Sequence, residues 1–114
     1  MTKEEFIEYV YKETRIRLTD DQFSGKEKIE GHLYLNVLTS IPKGFNPVVG
    51  GNLNLRSLTS IPEGFNPVVG YNLWLDSLTE IPENFNPEVK GKIFIDEETG
   101  YDKNPILEFI NFHI

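Results

Sequence analysis

The sequence predicts a repeat solenoid: a parallel β-solenoid of about three and a half coils between an N-terminal helical cap and a C-terminal capping segment. Three observations carry this reading. Residues 31–50, 51–70 and 71–90 read GHLYLNVLTSIPKGFNPVVG, GNLNLRSLTSIPEGFNPVVG and YNLWLDSLTEIPENFNPEVK, a gapless period of 20 in which the first two units agree at 15 positions and the last two at 13. Each unit opens on an alternating triplet: Leu33-Tyr34-Leu35, Leu53-Asn54-Leu55 and Leu73-Trp74-Leu75, continued by Ile93-Phe94-Ile95. Each then carries two prolines at fixed phase, which rule out a long α-helix on the way back. A unit of this length cannot bury its own apolar face, so the units stack and share one core.

The N-terminal cap is expected over residues 1–30. Thr2-Lys3-Glu4-Glu5 fits a capping box, in which the threonine hydroxyl accepts from the first turn and the glutamate returns the bond. A helix from about Lys3 to Thr14 follows, with Phe6, Ile7, Tyr9 and Val10 as its apolar face, extended by Ile16, Leu18, Phe23 and Ile29. Thr19-Asp20-Asp21-Gln22 is a second box-like start that opens one short turn.

The solenoid is expected over residues 31–96. In each triplet the aliphatic pair points inward and the middle residue outward, and identical circuits place successive strands parallel. Leu38, Leu58 and Leu78, with Ile41, Ile61 and Ile81, form internal aliphatic columns, and Phe45, Phe65 and Phe85 form a spine on the return side. The proline-flanked return is expected as 3₁₀ or polyproline-like turns. Asn46, Asn66 and Asn86 stand before the second proline, where their amides bond backbone groups of their own and the adjacent coil as a ladder. A fourth unit begins as GKIFIDEETG and then loses the pattern. Residues 97–114 are expected as the C-terminal cap, with Pro105 preceding Ile106, Leu107, Phe109, Ile110 and Phe112 as apolar residues that fold back or serve as a dimer contact or partner-docking tail.

The segments LNLRSLTSIPEGF and LWLDSLTEIPENF resemble the leucine-rich repeat family, whose units carry an L-x-x-L-x-L-x-x-N-x-L pattern. The resemblance covers about residues 29–96 and implies a strand-lined concave face and a binding habit rather than a reaction. This chain departs from the family where the buried asparagine is expected: Leu38, Leu58 and Leu78 stand there. The polar ladder is then moved to Asn46, Asn66 and Asn86, or the chain is a distinct β-solenoid.

Composition bounds the function. The 114 residues fit one domain, and 39% hydrophobic content excludes simple disorder without providing a membrane span. Zero cysteines remove disulfides, thiolate metal sites and cysteine catalysis. A formal charge of -7 argues against direct nucleic-acid binding. The opening MTKEEFIEYV has early acids and no apolar run, so no secretory signal is visible and a cytoplasmic location is expected.

Comparing units within the chain shows where residues vary while the frame is kept. The first two units differ at His32/Asn52, Tyr34/Asn54, Asn36/Arg56, Val37/Ser57 and Lys43/Glu63. Stacking aligns His32, Asn52, Asn72 and Lys92 in one column, Tyr34, Asn54, Trp74 and Phe94 in a second, and Asn36, Arg56, Asp76 and Asp96 in a third. This mixed polar and aromatic face is the candidate partner-binding site, because exposed Trp, Tyr and Arg anchor interfaces. No catalytic residue, metal site or cofactor is expected. His32 and His113 have no repeated acid or serine beside them, and the acid-rich stretch Asp96–Asp102 lacks the full EF-hand pattern and reads as a solvated turn. The expectation is a non-enzymatic module that binds a protein partner and neither nucleic acid nor membrane. The alternatives are a small acidic inhibitor of the kind phages encode, blocking the nucleic-acid groove of a defence enzyme, and a structural unit that self-assembles through its terminal segments.

Overall fold

The computed structural model describes residues 1–96, Thr99 and Tyr101. The expected C-terminal cap therefore lies, apart from those two residues, outside the described part.

Thr2 caps helix α1 (Lys3–Thr14). Its hydroxyl accepts from the Glu5 N–H at 3.1 Å and its own N–H donates to Glu5 Oε1 at 2.8 Å, completing the expected capping box. These bonds hold the Glu5 carboxyl below its ordinary range. The box is therefore present above the unfolded carboxyl's titration and lost as pH falls through the folded one. Phe6 and Val10, one turn apart, are buried, while Ile7 and Tyr9 are half-buried on the rim of the same face. The helix stops where Arg15 turns left-handed at φ 65°. Helix α2 (Asp20–Ser24) repeats the device: Thr19 accepts from the Gln22 N–H at 3.0 Å, Gln22 Oε1 accepts from the Thr19 N–H at 3.0 Å, and Gly25 ends it at φ 90°.

Eight short strands follow: β1 (Lys28–Ile29), β2 (Leu33–Tyr34), β3 (Val48–Val49), β4 (Leu53–Asn54), β5 (Val68–Val69), β6 (Leu73–Leu75), β7 (Glu88–Val89) and β8 (Ile93–Ile95). They form two parallel four-stranded sheets, β2-β4-β6-β8 and β1-β3-β5-β7, so the chain is a parallel β-solenoid of about three turns behind an N-terminal helix. Register is fixed at one period: Leu33 opposes Leu53, Leu53 opposes Leu73 and Leu73 opposes Ile93. The first sheet is the one the triplets predict.

The second sheet corrects the expected return path. The residues after the second proline, Val48–Val49, Val68–Val69 and Glu88–Val89, are strands and not only turns. Proline stands immediately before each strand, where it blocks helix and favours extended backbone without removing a donor from the pair itself. Pro47 and Pro67 even serve the ladder, their carbonyls accepting from the Val68 and Glu88 N–H groups at 3.0 Å. Tight turns are confined to i-to-i+3 bonds such as Leu38 N–H to Leu35 O at 3.2 Å and Phe45 N–H to Pro42 O at 3.4 Å. The second sheet also starts the solenoid at Lys28, inside the segment expected as cap, since β1 pairs with β3.

The core runs between the sheets. Leu33, Leu35, Leu53, Leu55, Leu73 and Leu75 face it from one side and Ile29, Val49 and Val69 from the other, all buried. Leu38, Leu58 and Leu78 fill its corner as expected, with Ile41 and Ile61 buried and Ile81 half-buried. The phenylalanine spine stacks Phe45 on Phe65 with centroids 6.2 Å apart. It extends into the cap, where Phe6 and Phe23 lie 4.6 and 5.5 Å from Phe45. Past the third coil Tyr101 packs on Phe85 at 5.3 Å, and burial raises its phenol above the ordinary tyrosine range.

The asparagine ladder on the return side is present. Asn46 Oδ1 accepts from the Asn66 N–H at 2.7 Å, and Asn66 Oδ1 from the Asn86 N–H at 2.6 Å. Its base is tied to the cap, because the Asn46 N–H donates to Phe23 O at 2.9 Å. Each rung satisfies a corner N–H that no strand partner reaches.

Candidate interaction face

The outward positions of the β2-β4-β6-β8 sheet form the middle column of the candidate face. Tyr34 is 48% exposed and Phe94 37%, Trp74 is half-buried, and Asn54 is buried at 8%. The burial of Asn54 corrects its expected exposure. It lies in register between Tyr34 and Trp74, whose larger side chains stand over it, and its Oδ1 accepts from the Arg56 N–H at 3.1 Å. Asn54 is thus bonded into the face through its Oδ1. Trp74 and Phe94 stack with centroids 5.0 Å apart and planes 12° apart, close to the inter-strand spacing that an in-register parallel pair imposes.

The first column is a second ladder. His32 Nδ1 accepts from the Asn52 N–H at 2.8 Å, Asn52 Oδ1 from the Asn72 N–H at 2.9 Å, and Asn72 Oδ1 from the Lys92 N–H at 2.9 Å. Beside it runs a backbone ladder, in which the Gly51 N–H donates to Gly31 O at 2.7 Å and the Tyr71 N–H to Gly51 O at 3.1 Å. These side chains therefore close the corner between the sheets, as Asn46, Asn66 and Asn86 do at the corner leading into β3, β5 and β7. The acceptor role requires an unprotonated Nδ1 in His32.

The third column, Asn36, Arg56, Asp76 and Asp96, is exposed at every level. The Asn36 carbonyl accepts from the Ser57 hydroxyl of the next coil, which fixes the turn and leaves the Asn36 side chain outside.

The structure adds Tyr71, which the comparison of the first two units misses. It is 61% exposed and takes the corner position that glycine fills at 31, 51 and 91. Gly51 is buried, and a Cβ there would collide with the His32 ring; the Tyr71 ring lies 6.2 Å from His32. His32 in turn stacks on Tyr34 at 5.5 Å. The signal was in the third unit: a tyrosine where its neighbours have glycine. The face thus carries two aromatic groups, His32-Tyr34-Tyr71 at one end and Trp74-Phe94 at the other.

Compared with family models, with curated proteins and with solved structures, the chain matches none. Among the described residues no group of three or more histidines and carboxylates is placed to hold a metal ion, and no helix is long and apolar enough to cross a membrane. The acid-rich stretch after Asp96 lies largely outside the described residues.

Proposed function

We propose that this chain is a non-enzymatic protein-binding module whose exposed strand face recognises a protein partner. One observation carries the reading: the middle column accepts a buried asparagine at one level, yet holds Tyr34, Trp74 and Phe94 at the other three, two of them exposed. The fold does not require large aromatics there, whereas interfaces use them as anchors. Tyr34, Tyr71, Trp74 and Phe94 supply apolar contact, and Asn36, Arg56 and Asp76 supply direction and charge complementarity along the adjoining edge. His32, Asn52 and Asn72 act by holding the coils in register. The kinship with leucine-rich repeats is part of the same proposal, supported by the aliphatic triplets, and so is a cytoplasmic site of action.

The test is the affinity of the partner recovered from the native host for wild type and for the Tyr34→Ala/Trp74→Ala double variant. A loss of tenfold or more, with unchanged circular dichroism, is expected. Retained affinity would remove this face as the site. The net charge of -7 favours one second reading, an acidic inhibitor of a nucleic-acid groove. A charge mimic loses affinity steeply as salt rises and an aromatic-anchored face does not, so a salt titration of the same complex separates the two.

A further inference from the structure

We propose that the cleft between α1 and the first coil binds one basic side chain, lysine or arginine, from a segment of the partner. The cleft has a volume of about 210 Å³ and is lined by Tyr9, Glu13, Tyr34, Leu35, Asn36 and Val37. That is below the roughly 300–1,000 Å³ of small-molecule pockets, so it suits a single side chain. Tyr9 and Tyr34 line it, and at its edge stands Val37, 68% exposed.

Charge decides which side chain. Of the four carboxylates of α1, Glu5 is engaged in the capping box, Glu8 is paired with Arg17 at 2.8 Å, and of Glu4 and Glu13 it is Glu13 that lines the cleft. Arg15 and Arg17 lie over the Tyr11 ring at 5.6 and 4.2 Å. Glu13, at the cleft, makes no ion pair among the described residues. It also occupies the last turn of α1, where the helix dipole already places partial negative charge, so helix stability gives no reason for an acid there. A lysine or arginine stem would lie along Val37, Tyr9 and Tyr34 while its charged end meets Glu13. A neutral side chain would gain nothing from the carboxylate, and an acidic one would be repelled. The surplus negative charge of the whole chain steers basic segments toward the site.

The site shares Tyr34 with the aromatic face, and it rests on the reading of that face only for the partner's remaining contacts. The experiment is a ¹H–¹⁵N titration of the full chain with Nα-acetyl-lysine methylamide and its arginine counterpart, with Nα-acetyl-norleucine methylamide as the uncharged control. Saturable shifts confined to Tyr9, Glu13 and residues 34–37 are expected for the cationic probes. Glu13→Gln should weaken them at least fivefold, while Glu4→Gln on the same helix and Glu63→Gln on the return side should stay within twofold. Equal binding of norleucine, indifference to Glu13→Gln, or no shifts up to the solubility limit would overturn the proposal. If the probes bind but Trp74→Ala leaves partner affinity intact, the cleft stands and the wider face falls.

Discussion

Two corners of each coil are closed by side-chain ladders, and they differ in what they tolerate. At the return corner the ladder is Asn46, Asn66 and Asn86, each followed by proline and anchored below on Phe23 O. At the strand corner it is His32, Asn52 and Asn72, ending on the Lys92 N–H. The first repeats one residue beside the phenylalanine spine, half-buried at Asn46 and Asn66 and exposed at Asn86, where a side chain of another length would miss the next coil's N–H. The second begins at an exposed level, where an imidazole reaches the same N–H and water can replace it. Identity between units therefore marks where packing fixes the chemistry, and variation marks where the frame leaves a side chain available for recognition.

The sharpest way to break this comparison is at the spine. Phe45→Ala should cost about 3–5 kcal/mol, because the ring is fully buried and contacts the rings of Phe6, Phe23 and Phe65, and urea unfolding should show it as a lowered midpoint. Next comes the ladder beside it. Asn46→Ala leaves the half-buried Asn66 N–H without its acceptor and should cost about 1–3 kcal/mol in the same measurement. At the strand corner His32→Ala should cost less, about 0.5–1.5 kcal/mol, since the rung it removes is exposed. His32→Asn should rebuild that rung in the form the next two coils use. The smallest effect is expected on the outer face of α1. Arg17 holds the Glu8 carboxyl below its ordinary range across an exposed pair, so Glu8→Gln should leave the midpoint within error at neutral pH.

Much of the frame was legible in the sequence because short-range rules govern it. Thr2 and Thr19 announced both capping boxes, since such a box needs only residues three apart. The triplets announced the first sheet, because alternation alone separates inward from outward. The second sheet was hidden by its own punctuation: Pro-Val-Val reads as a turn until neighbouring coils supply the parallel partners that make two residues a strand. The candidate face was legible in part. Its middle and outer columns could be listed from the varying positions, but Asn54 reads as exposed until Tyr34 and Trp74 stand over it.

The sequence by itself determined the period, the two helix caps, the inward aliphatic columns and the spine, all consequences of spacing along one chain. Tertiary structure alone decided which variable residues are free. His32, Asn52 and Asn72 look like a recognition column in sequence and become corner rungs once the next coil's N–H groups stand 2.8–2.9 Å away. Tyr71 looks like a lost glycine and becomes part of an aromatic cluster because stacking brings its ring to 6.2 Å from His32, whose own ring lies where a side chain at Gly51 would stand. Stacking brings residues 20 to 40 positions apart into contact, and hydrogen-bond donors and empty space across that interval belong to the stack and to no single unit.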